Sequence, residues 1–272
     1  MFHVLAELPE VVIDAKVWKS LLSEHFIITQ RNLNPQMFGF PNERTRHYSV
    51  SLLRKRFQPY VDICDADFEV LFFKPAMASG DIFFLNTAEA ELQREKLLQH
   101  LASVRKLVEP LGPGKWVLSD VLNPLEAARL EGYHQMTEHE ESWLCSEQAV
   151  IANISQDPCE RPQVSKWVPT LLRDSHYVLL RGQGCGRGSE KSMLGDEAFL
   201  SMGWPVHAQA SDKEMPCAID AILPSLSEAQ KRSLAGNGMS VPVIGSVLLF
   251  VLGCTRDLAT CPPGALSDDD LD

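Results

Sequence analysis

The 272-residue sequence is short of positive charge, of paired cysteine spacings and of long apolar runs, and each shortage closes off a class of protein. Lys and Arg number 25 against 36 Asp and Glu, a formal net charge of −11. A free-standing duplex binder carries a basic face, so nucleic-acid binding here has to rest on a local patch. Such binding is weak and salt-sensitive for the chain alone. The densest patch is Arg44, Arg46, His47, Arg54, Lys55 and Arg56, six basic or potentially basic groups within thirteen positions. The seven cysteines are Cys64, Cys145, Cys159, Cys185, Cys217, Cys254 and Cys261. Their number is odd, no two form Cys-x-x-Cys, and nothing resembles a secretory signal. Reduced thiols in an intracellular compartment are the expectation. The longest apolar run, 241–253, is too short to span a bilayer and is interrupted by Pro242 and Gly245, so no membrane role is expected. Apolar residues make up 45% and charged residues 22%, a globular composition with length for one large domain or two small ones.

What is present is organised around residues 30–50. Phe26 to Thr29 lead in and Tyr48 to Leu53 lead out, both rich in β-branched, aromatic and aliphatic residues. The spacing predicts two extended runs joined by a tight polar turn, with Gly39 and Pro41 supplying dihedral freedom and dihedral restraint. Arg44 and Arg46 stand at i and i+2, which on an extended backbone puts both guanidinium groups on one face. Paired forks of this kind suit a phosphate or a base oxygen. On composition alone, a solvated hairpin with two surface arginines is the favoured reading.

The run Asn34-Pro35-Gln36-Met37-Phe38-Gly39-Phe40-Pro41-Asn42-Glu43-Arg44-Thr45-Arg46 resembles motif VIII of the cytosine-5 DNA methyltransferases. In that family a Gly-x-Pro-(Gln/Asn)-x-Arg-x-Arg segment holds the flipped cytosine nucleotide. A second block, Ala235-Gly236-Asn237-Gly238-Met239-Ser240-Val241-Pro242-Val243, resembles motif X, which walls the S-adenosylmethionine pocket. Between them Glu197, Phe199, Leu200, Gly203, Trp204 and Pro205 resemble motif IX, a helix of structural role that props the recognition segment. Val4 to Glu10 is similar to a degraded motif VI. There Ala6 falls where the family's catalytic glutamate belongs, and Glu7 where its asparagine does. Glu7 would replace the general acid only across a one-residue slip, which on a strand turns a side chain to the other face. A surface carboxylate at a strand end is the alternative for Glu7.

Several local elements are legible beside the resemblance. Phe2 to Leu8 reads as a strand and Val12 to His25 as a helix. Asp67 to Phe73 and Asp81 to Leu85 look strand-like. A helix is predicted from Thr87 to Glu109, with Asn86 and Glu89 as its start and Leu97, Leu101, Val104 and Val108 as one apolar stripe. The charged patch 138–141 with His139 reads as a solvated face, and no metal site is expected. Ser175 to Leu180 reads as a strand. The alternating glycines of 182–188 do not fit a dinucleotide fingerprint and read as a mobile loop. A helix over 226–235 is predicted with a Ser225/Glu228 cap, followed by a glycine turn. A second helix then starts at Val241-Pro242, with Val243, Val247, Leu248 and Val251 as its apolar face and Gly245 and Ser246 allowing close packing.

The resemblance implies an α/β fold: the carboxyl-terminal part of a Rossmann-like S-adenosylmethionine-dependent methyltransferase sheet, with an inserted α+β target-recognition region. Residues 1–56 would be a remnant of the catalytic core with the motif VIII hairpin. Residues 57–170 would be target-recognition-like, 171–255 would return motifs IX and X to the core, and 256–272 would form a disordered acidic tail. It further implies S-adenosylmethionine-dependent methyl transfer to cytosine C5, with Arg44, Arg46 and Glu7 at the base and Gly236, Asn237, Gly238 and Met239 at half of a donor site. The reaction needs a thiolate that adds to cytosine C6, a ring-protonating glutamate, a glycine-rich donor loop and a flipped base. The 272 residues hold no Pro-Cys-Gln; Pro158-Cys159 and Pro216-Cys217 lie after the motif VIII segment and read as ordinary free cysteines. No methyl transfer is therefore expected of the chain alone. The partners implied are DNA, with RNA as the other polynucleotide, and an amino-terminal half or partner subunit; the implied location is nuclear. The alternative from another class is a non-catalytic DNA-binding or regulatory module. In either case apolar residues of the motif X helix and the strand edge beside 2–8 are expected to be exposed.

Overall fold

The computed structural model describes residues 3–6, 20, 22–59, 65–110, 114–139, 142–182, 184–206, 217 and 219–259. Glu7, most of the helix expected over 12–25 and the tail beyond 259 lie outside the described residues. The fold is mixed α/β, with two main sheets and packed helices.

The first sheet holds β1 (His3–Ala6), β2 (Phe26–Leu33) and β3 (Arg46–Leu53) in the order β1-β3-β2. β3 is antiparallel to both neighbours, with Phe26 opposite Leu53 and Leu33 opposite Arg46. Along β3, Tyr48, Val50 and Leu52 are buried while the residues between them are not, the period-2 signature of a strand with one face in the core. The expected tight turn between β2 and β3 is a twelve-residue loop, 34–45, containing a 3-10 turn at Pro35–Met37. Asn34 caps that turn: its Oδ1 accepts the backbone N–H of Gln36 at 3.2 Å and that of Arg44 at 3.4 Å. A short ribbon pairs β4 (Phe57–Pro59) with the last strand, Thr255–Asp257.

Two predicted strands are helical. Residues 67–72 lie within helix α1 (Asp65–Phe72), and 81–83 lie in a 3-10 turn, Gly80–Phe83. Aromatic packing overrides strand propensity in the first. A helix puts Phe68 and Phe72 on one side, where Phe68 meets Phe250 edge-on with centroids 5.2 Å apart and Phe38 at 6.1 Å. Helix α2 (Ala88–Val104) starts one residue later than predicted, capped by Thr87 Oγ1, which accepts the Ala90 N–H at 3.2 Å. It also stops five residues short of Glu109. Its buried side carries Ala90, Arg94 and Leu97, whereas Val104 is 65% exposed and Val108 91%. The expected stripe thus continues past the end of the helix that would have organised it.

The middle and carboxyl-terminal regions share the second sheet. α3 (Leu118–Val121) and α4 (Pro124–Glu138) precede β5 (Val150–Asn153), β6 (Val164–Ser165), β7 (Tyr177–Arg181) and β8 (Lys191–Ser192). The order is β6-β5-β7-β8, all antiparallel; among the described residues no two named strands pair in parallel. Alternate residues of β5 and β7 feed two cores. Ile151, Tyr177 and Leu179 meet Phe199 and Met202, whereas Val150, Val178 and Leu180 meet Leu130 and Tyr133 of α4. After β7, Arg187 leaves the glycine-rich loop to pair with Glu131 and Glu138 of α4 at 2.6 and 2.9 Å.

Helix α5 (Gly195–Ser201) is followed by α6 (Glu228–Asn237), α7 (Val241–Cys254) and β9 (Thr255–Asp257). The cap of α6 is Ser227 with Gln230, not Ser225 with Glu228: Ser227 N donates to Gln230 Oε1 at 2.8 Å and Gln230 N to Ser227 Oγ at 3.3 Å. Ser225 lies in a separate 3-10 turn. On α7, Val243, Val247, Phe250 and Val251 join the core under β2 and β3, whereas Leu249 is 66% and Leu252 59% exposed. Leu248 is also partly exposed, and a Cβ at Gly245 would meet open space, so Gly245 is not a close-packing position. The stretch Glu228–Cys254 is apolar enough to cross a membrane by length and mean hydropathy, 1.8. It is nevertheless divided between α6 and α7, and α7 alone is about 21 Å long, short of the roughly 30 Å hydrocarbon core. β9 pairs Thr255 and the first two residues of the expected tail, Arg256 and Asp257, with β4. Phe57 and Phe68 share the core of β2, β3 and α7, so packing carries the first unit past residue 56.

Glu197 of α5 fixes the loop before α2. Its carboxylate accepts the backbone N–H of Leu85 at 2.6 Å and of Leu194 at 2.8 Å, and a short contact from Arg94 Nη2. The Glu197 side chain is fully buried and the Arg94 guanidinium nearly so. The hydrogen-bond partners of Glu197 are all donors, while burial, with the charge of Glu228, pushes the carboxyl up to about 7. An amide there would turn hydrogens toward N–H groups, but Arg94 would keep Glu91 at 2.8 Å. Glu197→Gln is therefore expected to lower stability by about 1–3 kcal/mol, read as a fall in urea midpoint at constant m; an unchanged midpoint would contradict this account.

Candidate functional site

Three sequence blocks far apart in the chain close on one another. Residues 41–44 run beside 166–170 in a strand-like way: Val168 N donates to Pro41 O at 3.0 Å, Glu43 N to Val168 O at 2.8 Å, and Thr170 Oγ1 to Glu43 O at 2.7 Å. From this rail two side chains reach inward. Asn42 is fully buried and donates from Nδ2 to Ser201 O at 2.8 Å, at the end of α5. Arg44, 2% exposed, donates from Nη1 to Leu171 O and from Nη2 to Gly236 O, both at 3.0 Å. One guanidinium fork thus joins the loop after β2, the segment before β7 and the end of α6.

The glycines at this junction have steric reasons. A Cβ on Gly236 would lie 2.9 Å from the Leu172 carbonyl carbon and 3.0 Å from Arg173 N, both backbone atoms that cannot step aside. Gly203 has φ +82°, the left-handed region. A Cβ there would approach the Pro242 ring to 2.4 Å and Phe40 to 3.5 Å. Val241 N donates to Met202 O at 2.9 Å, tying the start of α7 to the same point. Segments resembling motifs VIII, IX and X therefore share one packed junction.

The residues expected to do chemistry are placed unequally. Arg44 and Arg46 do not present one face: Arg44 precedes β3 and points into the protein, whereas Arg46 opens β3 at the surface and donates to Thr45 O at 2.9 Å. The i and i+2 argument fails because the backbone at 44 and 45 is loop. Gly236 is buried, with its carbonyl held by Arg44 and its Cα side closed by backbone, so it has no free face for a cofactor. Asn237 is exposed, Met239 is 38% exposed and Gly238 half-buried. Those three can contribute a wall to a donor site only against a surface supplied from elsewhere. Gly238 has φ −75°, so the turn between α6 and α7 needs no left-handed residue.

Sequence reasoning missed a polar cavity of about 230 Å³ lined by Leu101, Arg105, Glu126, Arg173, His176 and Arg232, among others. A crevice of about 30 Å³ lies between β2, β3 and α7. Neither is lined by Arg44, Arg46, Gly236, Asn237, Gly238 or Met239. Facing the larger cavity, Glu126 is held down at about 2 by His176, by the Asn123 N–H and by Arg105, against the upward push of burial. Arg105 Nη2 sits 2.7 Å from Glu126 Oε2, and His176 Nδ1 lies 3.9 Å from Oε1. Burial lowers the pKa of His176 itself. These residues carry no family spacing; the arginines at 105, 173 and 232 are brought together only by tertiary contact. Among the described residues no group of three or more His, Cys, Asp or Glu could hold a metal ion.

No protein-family model matches the chain, and no curated protein matches it. Among solved structures the chain is similar to the methyltransferase EhMeth of Entamoeba histolytica (12% identity, TM-score 0.43, 93% of this chain and 62% of that one). It is similar to the Dnmt2 methyltransferase of S. pombe (15% identity, TM-score 0.45, 93% and 67%). A mutant DNMT2 of Spodoptera frugiperda gives 14% identity, TM-score 0.42, 93% and 66%. The chain spans about two thirds of the length of these structures, from 62% to 67%.

Two outcomes follow from this geometry. Arg44→Gln and Gly236→Ala each remove or displace the same contact. Each should cost about 1–3 kcal/mol, and the double variant less than the sum because the sites are coupled; strict additivity in urea unfolding would contradict the shared junction. Glu126 has a folded pKa below its ordinary 4.5, so its contribution to stability is complete above about pH 4.5 and is lost as pH falls toward 2. The stability difference between wild type and Glu126→Gln should therefore be constant from pH 7 to 5 and shrink steadily below, measured by denaturant unfolding; a pH-independent difference would remove that assignment.

Proposed function

We propose that this chain is the carboxyl-terminal part of a cytosine-5 DNA methyltransferase-like protein, and that methyl transfer requires a segment supplying the nucleophile and the donor loop. The observation that carries this reading is the Arg44 fork on Leu171 O and Gly236 O. It unites the two blocks most similar to the family's motifs across 192 positions of sequence. In this reading the chain contributes scaffold to a two-part site. Arg44 holds the end of α6 against the segment before β7, and Arg46, at the surface start of β3, is the guanidinium placed for a nucleotide. Asn237 and Met239 present the outer wall of a half-site for S-adenosylmethionine, which when bound supplies the methyl group. Leu249 and Leu252 of α7 lie on the apolar side available to the complementary segment.

Reconstitution tests this reading. The chain is mixed with a separately produced methyltransferase amino-terminal half carrying a glycine-rich donor loop and Pro-Cys-Gln, and transfer of labelled methyl groups to duplex DNA and to RNA is followed. Neither half alone should transfer label. The mixture should transfer it, and Arg46→Ala should reduce transfer by about tenfold or more without loss of assembly. Assembly without transfer would leave a non-catalytic module, and absence of assembly with a matched half would overturn the proposal.

A further inference from the structure

The 230 Å³ cavity is built from five separate parts of the chain: the end of α2, the start of α4, the turn after β5, the segment 173–176 and the first half of α6. Three guanidinium groups reach it, Arg105, Arg173 and Arg232, against the carboxylates of Glu126 and Asp174. They are unequally neutralised. Arg105 spends Nη2 on Glu126 at 2.7 Å, while its Nη1 is buried with no hydrogen-bond partner. Arg173 and Asp174 are 4.0 Å apart and both largely exposed, a loose contact in water. Arg232 is half-buried, with Glu228 as its acidic influence, and burial lowers its pKa. Among the described residues Arg232 has no carboxylate within ion-pair distance, and an anion seated in the cavity would answer Arg232 and the loosely held Arg173.

We propose that this cavity binds a single phosphoryl group. The volume is below the roughly 300–1,000 Å³ of pockets that enclose whole drug-sized ligands, so it suits one tetrahedral anion or the phosphate end of a longer molecule. Tetrahedral oxygens take guanidinium forks from several directions at once, whereas a planar carboxylate is satisfied by one fork. The Arg44 fork joins the two parts that bear these arginines, because it holds Leu171, two residues before Arg173, and Gly236, one turn after Arg232 in α6. The proposal does not rest on the methyltransferase reading, since none of the residues in the resembling motifs lines the cavity.

The test uses the full chain at low ionic strength, with chloride-matched controls. Inorganic phosphate and short oligodeoxynucleotides, with and without a 5′-phosphate, are titrated while the His176 ring resonances are followed by NMR. A saturable shift with inorganic phosphate or only with the 5′-phosphorylated strand supports the site and assigns it a terminal phosphate. Saturation with both strands but not with inorganic phosphate supports it and assigns a phosphodiester. In either case Arg232→Gln and Arg173→Gln, which break no strong ion pair, should each weaken binding by about tenfold or more with unchanged melting temperature. A shift reproduced by chloride, no saturation with any of the three ligands, or binding indifferent to both variants would overturn the proposal.

Discussion

The structure depends on a cation that is given up to the interior. Taking a guanidinium out of water costs several kcal/mol, and Arg44 offsets that cost by donating to two carbonyls that have no place in a helix or sheet ladder. Leu171 O belongs to an irregular segment, and Gly236 O is among the carbonyls at the end of α6 that lack an intrahelical partner. A positive group at a helix carboxyl terminus is also favoured by the helix dipole. The contact therefore answers three needs at once, and its geometry requires glycine at 236, because any side chain there would push the helix off the Leu172 backbone.

Around that point the two sheets have different tasks. The antiparallel sheet β6-β5-β7-β8 is buried on both faces, and it supplies stiffness to the middle of the chain. The sheet β1-β3-β2 packs one side on α7 and α1 through a cluster of aromatic rings. The Glu197 and Arg94 pair, the Asn42 amide and the Arg44 fork each tie regions more than a hundred residues apart. Buried polar groups that find partners across such distances favour one arrangement over its competitors. Here they determine how motif-like loops meet, while the apolar cores determine that the chain is compact at all.

Strands were legible where alternation was strong. Tyr48, Val50 and Leu52 alternate cleanly, and β7 shows a continuous apolar run. Residues 67–72 misled because Phe, Val and Leu favour strands locally while Phe250 and Phe38 reward a helix. The apolar positions of α7 were three-quarters legible: Val243, Val247 and Val251 are buried and Leu248 is not. Of the residues that the sequence singles out, Arg44 and Gly236 meet in the fold, in a packing role that the sequence did not show. The spacing of Arg44 and Arg46 marks both equally, and only the loop geometry at 44 sends one inward. Arg105, Arg173 and Arg232 gave no signal, because nothing in their sequence separation announces that three helices, a turn and the segment before β7 meet at one cavity.

The close approach of Gly203 to Pro242 has a bearing on how this chain can change over generations. Position 203 is held by a left-handed backbone and by a proline ring where a Cβ would have to be. Replacing the glycine first would lever the opening turn of α7 away from Met202, and replacing the proline first would leave the backbone conformation at 203 as demanding as before. The dependence runs one way: position 242 can change while the glycine stays, whereas position 203 is held first by the proline ring and, once that is gone, by its own backbone.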